Sequence, residues 1–197
     1  MWNKAEKTLL KDKLLKPLIK KYGPCRIKPI KKSEYFADLV DAICSQQLSG
    51  KAAKTIFERV KKGVGGKLTP EAILKAKDAK LRSFGLSWAK VSYVKDLAKK
   101  VAGNELKIEK LDKLNDEEVL NELVAVKGIG RWTGEMFLMF SLARPDIFPI
   151  DDLGIKKGVE KISGKRLIGP ALASFAERWQ PYRTVASWYV WRSLENR

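Results

Sequence analysis

A chain of 197 residues, 45% of them hydrophobic, has the apolar material for one compact unit or two small lobes without disulfide or metal staples. Lys and Arg number 40 against 23 Asp and Glu, a formal net charge of +17 that favours a polyanionic partner, nucleic acid or an anionic membrane surface. Histidine is absent and cysteine occurs only at Cys25 and Cys44, which excludes Ser-His-Asp triads, histidine-based zinc sites and the four thiolates of an iron-sulfur cluster. No window approaches the roughly 18 apolar residues of a spanning helix, and the N-terminal MWNKAEKTLLKDK lacks the apolar core of a signal peptide. The expectation is a soluble, intracellular protein that does not enter a membrane, with reduced, semi-buried thiols.

In chain order, the first clear element starts at Ser33, where serine supplies N-cap chemistry and Phe36, Leu39, Val40 and Ile43 keep the i, i+3, i+4, i+7 spacing of an amphipathic helix. Ser49, Thr69-Pro70, Asp78 and Ser87 read as further helix starts, and Gly63, Gly85 and Gly103 as stops. Asn115, with Glu118 three residues on, makes a capping-box pattern, and Pro181 stands at a plausible first helical position before a run to Leu194. No stretch shows sustained β-type alternation, so the pattern predicts an all-α fold of about nine or ten helices joined by short connections. GVGGK (63–67) and LARPDIFPID (142–151) are the clearest breaks, and the second reads as a crossing between lobes.

The segment VKGIGRWTGEMF places Gly128 and Gly130 between one helix ending near Val126 and another beginning after Gly130. Glycine permits left-handed backbone angles and close approach of another backbone, and the first amides of a helix are donors that the helix itself does not satisfy. Such a turn either simply joins two helices or receives a phosphate, and Lys127 and Arg131 add charge in favour of the second reading.

LVAVKGIGRWTGEMFLMFSLARPDIFPIDDLG resembles the helix-hairpin-helix, Gly/Pro-rich loop and aspartate signature of the helix-hairpin-helix DNA glycosylase superfamily, and is most similar to the 3-methyladenine DNA glycosylase II family. The likeness extends upstream to AICSQQLSGKAA and downstream to FAERWQPYRTVASWYVWRSL, so it runs in order over roughly residues 33 to 195. It implies a two-lobed helical fold with the active-site cleft between the lobes, one spanning about 31–138 and the other 1–30 with 139–197. Some 30 residues precede the first matching helix, so the β-rich N-terminal domain of some relatives is expected to be absent.

The resemblance also implies an activity, hydrolysis of the N-glycosidic bond of an alkylated purine in double-stranded DNA during base excision repair. The family's acidic residue closes the Gly/Pro-rich loop and corresponds to Asp152, with Asp151 as the alternative. At about 4 Å a fixed carboxylate stabilises a developing oxocarbenium ion by roughly 4 kcal/mol at an effective dielectric of 20. Trp132 occupies the position where members that also cut the strand carry a lysine nucleophile, which implies no abasic-site lyase activity. Trp132, Trp191, Met136 and Phe36 correspond to the base pocket, Met136 standing where a bacterial relative has tyrosine.

Gln47, or alternatively Leu48, corresponds to the residue inserted into the gap left by the flipped nucleotide. Lys127, Gly128, Gly130, Arg131 and Thr133 correspond to phosphate contacts. The backbone carbonyls of Val124, Val126 and Ile129 correspond to ligands of a monovalent cation, Na+ or K+; no cofactor is otherwise required and no iron-sulfur cluster is expected. Lys127 replaces a common proline, and Lys156 and Lys157 read as phosphate contacts or solvated charge. The expected protein acts as a monomer, in the cytoplasm or nucleoid of a prokaryote or the nucleus of a eukaryote. Two other readings stand beside it: a DNA-binding module without chemistry, for which Asp152 is dispensable, and a glycosylase for oxidised, deaminated or etheno purines.

Overall fold

The structure, a computed structural model, describes residues 1–195. These form twelve α-helices: α1 (Asn3–Leu9), α2 (Leu15–Tyr22), α3 (Tyr35–Ser45), α4 (Gly50–Gly63), α5 (Pro70–Lys75), α6 (Asp78–Ser83), α7 (Trp88–Ala102), α8 (Asp116–Val124), α9 (Arg131–Met136), α10 (Leu153–Ser163), α11 (Gly169–Ala176) and α12 (Arg183–Arg192). Short 3-10 turns lie at Lys32–Glu34, Ile108–Lys113 and Glu177–Trp179, and α9 runs on into a π-helical turn at Phe137–Ser141. The described residues contain no β-strand, so the fold is all-α.

Local chemistry explains where several helices begin. Thr69 Oγ1 accepts the Ala72 amide and Ser87 Oγ the Lys90 amide, each at 3.2 Å. Asn115 and Glu118 close a reciprocal capping box at 2.9 and 2.8 Å. Three expected starts differ. Ser33 lies inside a 3-10 turn, and the α-helix begins at Tyr35 after Glu34, whose carboxylate accepts the Lys31 amide. Ser49 precedes α4 without a side-chain cap, and α12 begins at Arg183, two residues beyond Pro181.

The chain divides into two compact units, Ile30–Gly134 and Met1–Pro29 joined by the chain from Glu135 onward. The second crossing thus falls inside α9 rather than after residue 138, and LARPDIFPID lies wholly within one unit instead of bridging two. Helical periodicity runs straight through the boundary into the π-helical turn, so no break in pattern marks it. Residues 196 and 197 of the expected second lobe lie outside the described residues.

In the unit Ile30–Gly134, α3 buries Tyr35, Phe36, Leu39, Val40, Ile43 and Cys44. Helix α4 packs against α3 and buries only Ala53 and Val60, while α7 buries Val91, Val94, Leu97 and Ala98 and packs on α5. In the other unit α12 is buried nearly all round, with Thr184, Val185, Ala186, Ser187, Tyr189 and Val190 inaccessible, as a central helix must be. The N-terminal residues are part of this core: Trp2 Nε1 donates to the Ile27 carbonyl at 2.8 Å, and the Tyr189 hydroxyl donates to the Gly23 carbonyl at 2.9 Å. Cys25 and Cys44 are free and buried, and burial pushes their thiols up to about 11 and about 12.

Candidate functional site

The hairpin joins α8 to α9 through Ala125–Gly130, in the unit Ile30–Gly134. Gly128 has φ +81°, and a Cβ placed there would lie 2.1 Å from the Tyr93 ring, so both backbone angle and space require glycine. Gly130 differs: nothing lies within 4 Å of where its Cβ would be, leaving room above the start of α9 for an approaching backbone. At the start of α9 the Gly134 amide donates to the Gly130 carbonyl at 3.1 Å. The Lys127 amide donates to Asp96 Oδ2 at 2.8 Å, tying the hairpin to α7, and the Lys127 side chain is exposed. Arg131 pairs with Glu117 at 2.9 Å, holding that carboxyl below its usual range; both are exposed, so a phosphate competes with a weak surface pair.

The turn Ser45–Ser49 belongs to the same unit and is bonded to the hairpin, since Gln46 Nε2 donates to the Gly128 carbonyl at 2.8 Å. Lys90 Nζ pins the turn from below by donating to the carbonyls of Cys44 and Gln46 at 2.8 and 2.7 Å. Burial of Lys90 among these groups lowers its pKa. Gln47 takes a left-handed backbone, φ 57°, which is uncommon outside glycine and costs about 1 to 2 kcal/mol. Gln47 and Leu48 are both exposed at the tip, where an inserted side chain would have to be.

In the unit formed by Met1–Pro29 and the chain from Glu135, the Gly/Pro-rich loop ends on Asp152, the N-cap of α10. Its Oδ1 accepts the Ile155 amide and the Trp191 indole N–H, each at 2.8 Å. Asp151 is placed quite differently, its side chain 78% exposed and facing Lys156 at 3.5 Å. Gly154 and Gly158, one turn apart on α10, let α12 come close. A Cβ at Gly154 would lie 2.9 Å from Trp191 Cδ1 and 3.0 Å from Asp152 Oδ1, and one at Gly158 would lie 2.7 Å from the Val190 carbonyl oxygen. Trp191 also packs on Phe140, with ring centroids 5.8 Å apart.

Three residues that the sequence pattern did not single out hold this loop. Asp146 accepts Arg183 Nε at 2.8 Å and Nη2 at 2.9 Å, and Thr184 Oγ1 accepts the Ile147 amide at 2.9 Å. An isolated Asp in a loop and an Arg-Thr at a helix start carry no periodic signal, so only the fold pairs them.

A family model described as HhH-GPD superfamily base excision DNA repair protein matches residues 40–180. The chain belongs to this superfamily. DNA-3-methyladenine glycosylase 1 of Schizosaccharomyces pombe is 37% identical over 190 residues, covering 92% of the chain and 81% of the relative. DNA-3-methyladenine glycosylase of Saccharomyces cerevisiae is 43% identical over 137 residues, 65% of the chain and 46% of the relative, so the chain spans less than half of that protein's length. The solved structure of the S. pombe 3-methyladenine DNA glycosylase in complex with abasic DNA superposes with a TM-score of 0.86 at 36% identity, covering 96% of each chain.

Within this HhH-GPD chain the expected site residues fall into two groups. Asp152 and Trp191 are brought into contact by α10 and α12, and the turn bearing Gln47 and Leu48 is bonded to the hairpin bearing Gly128 and Gly130. Trp132, at the start of α9, is 46% exposed, and Met136 closes the same helix half-buried. Phe36, on α3, and Thr133, in the first turn of α9, are both buried. Of the three residues whose carbonyls were expected to hold a monovalent cation, Val124 closes α8, and the Val126 carbonyl accepts the Ile129 amide at 3.1 Å.

Proposed function

We propose that the protein is a monofunctional DNA glycosylase that extrudes alkylated purines of the 3-methyladenine and 7-methylguanine type from duplex DNA, hydrolyses the N-glycosidic bond and leaves an abasic site. The observation that carries this reading is the orientation of Asp152, capping α10 and bonded by Trp191, in a chain similar to glycosylases named for 3-methyladenine. As the C1′–N bond breaks, the electron pair leaves with the base, and the sugar acquires positive charge that a fixed carboxylate stabilises. Water then adds at C1′ and loses a proton, for which the carboxylate is a suitable acceptor. A purine already cationic from alkylation is a good leaving group, so a site without histidine suffices.

Trp132 in place of a lysine nucleophile supports hydrolysis without strand cleavage, and its exposed ring is suited to stacking on an electron-poor base. The exposed hairpin glycines and Lys127 support phosphate binding, to which Na+ or K+ on the Val124, Val126 and Ile129 carbonyls would add positive charge. The protein acts as a monomer on intracellular DNA; no described helix is long and apolar enough to cross a membrane.

The test is base release from duplex oligonucleotides carrying 7-methylguanine or 3-methyladenine. Release by the intact protein and its collapse in Asp152→Asn are expected. Binding without release, or full release by Asp152→Asn, would replace this reading with that of a DNA-binding module or a different catalytic group. Borohydride added during turnover is expected to trap no protein–DNA adduct.

A further inference from the structure

One helix face has no place in the site described so far. The exposed side of α4 carries Lys51, Lys54, Thr55, Glu58, Arg59 and Lys62, at steps of three, one, three, one and three residues that align them in a single stripe. Four cations face one carboxylate, and none of the four makes an ion pair among the described residues, unlike Lys32, Lys95, Lys100 or Arg131. Ala53 and Val60 hold the opposite side in the core, so the stripe stands outward by construction. The six residues also line one shallow groove of about 500 Å³.

The stripe is continuous with the hairpin. Helix α4 starts at Gly50, directly after the turn whose Gln46 is bonded to the Gly128 carbonyl, and every residue from Gln47 to Ala52 is exposed. From Lys51 to Lys62 the helix rises about 16 Å at 1.5 Å per residue. Phosphates of one strand recur about every 3.4 Å of duplex axis but about 7 Å along the strand itself, so that length reaches about three of them.

We propose that this face of α4 is a second DNA-backbone site, on which Lys51, Lys54, Arg59 and Lys62 track the phosphates of the duplex beyond the residues held by the hairpin. It rests on the DNA-glycosylase reading and adds to it a binding track on the far side of the Gln47–Leu48 turn. A comparably basic groove, lined by Lys4 and Lys7 of α1 and by Lys11 just beyond it, lies in the other unit.

The experiment measures equilibrium binding of a fluorescent duplex carrying a tetrahydrofuran abasic analogue across a sodium chloride series. It compares the intact chain, the triple variant Lys51→Ala, Lys54→Ala, Lys62→Ala, and the α1 triple variant Lys4→Ala, Lys7→Ala, Lys11→Ala. Alanine is the best helix former, so the exposed helices are retained, and circular dichroism verifies this. With about 0.9 per lost phosphate contact, the α4 variant is expected to flatten the slope of log affinity against log salt by about two to three, while the α1 variant leaves it unchanged. Equal slopes for the α4 variant and the intact chain, or equal flattening by both variants, would overturn the track. If the intact chain releases methylated purine while the α4 slope is unaltered, the track alone fails; if the intact chain neither binds nor releases, the glycosylase reading fails with it.

Discussion

The indole N–H of Trp191 donates to Oδ1 of Asp152 across 39 residues of sequence, and the Ile155 amide donates to the same oxygen. One bond comes from the helix that the aspartate caps and the other from a neighbouring helix, so the carboxylate is oriented from two directions. Asp152→Asn keeps a good N-cap and an oxygen for both donors, and so is expected to fold normally while losing its charge. A Coulomb term of roughly 4 kcal/mol corresponds to about three decades of single-turnover base release. Asp151→Asn, at the solvated neighbour paired with Lys156, is expected to stay within about twofold of the parent. The reverse pattern in release assays would move the catalytic role to Asp151.

Trp191→Phe retains an aromatic ring beside Phe140 but deletes the N–H to Asp152, together with part of the indole surface. A hydrogen bond to a charged acceptor contributes about 1.5 to 3 kcal/mol, so kcat is expected to fall about 10- to 100-fold. Gly154→Ala should act in the same direction, because its methyl would lie 2.9 Å from Trp191 Cδ1 and push the indole from the carboxylate. Both effects are expected in the chemical step measured at saturating enzyme, with DNA affinity little changed.

The two hairpin glycines make a contrasting pair. Gly128→Ala meets the Tyr93 ring at 2.1 Å and a positive φ, and is expected to lower stability by about 2 kcal/mol, about 5 °C in Tm. Gly130→Ala has open space and is expected to leave Tm within about 1 °C while weakening DNA binding about tenfold, by occupying room that the DNA backbone needs. Thermal melts and binding titrations on both variants separate the two roles.

The thiols supply a pH prediction. Burial pushes Cys25 up to about 11 and Cys44 up to about 12, from an ordinary value near 9. The folded state therefore holds these protons more tightly than the unfolded state, and the associated stability is complete below pH 9 and is lost as pH rises through 11 to 12. Denaturant titrations at pH 8 and pH 10.5 should show lower stability at the higher pH, with a smaller difference in Cys44→Ala. At pH 8 both native thiols should react with a disulfide reagent at least about 100-fold more slowly than in denaturant, reflecting the smaller thiolate fraction.

Features encoded over a few residues were legible in the sequence. The caps at Thr69, Ser87 and Asn115, the all-α class and the hairpin glycines depend on hydroxyl reach, periodicity and backbone freedom within one or two turns. Ser33 misled because a 3-10 turn intervened, and the unit boundary inside α9 was invisible because helical periodicity crosses it unbroken. Likewise, spacing gave no reason to pair Asp146 with Arg183 or to separate Phe36, a core residue, from an exposed aromatic such as Trp132.

The sequence alone determined that the chain is helical, basic and without histidine, and that an aspartate pair closes the Gly/Pro-rich loop before α10. Only the tertiary structure shows how the surroundings of the two aspartates differ. Adjacent residues leave a turn in different directions: Asp151 points to solvent and Lys156, while Asp152 turns back onto its helix, where the close packing that Gly154 and Gly158 permit brings Trp191 within hydrogen-bond reach. That convergence depends on how α10 and α12 pack, a relation between distant segments that no local spacing expresses.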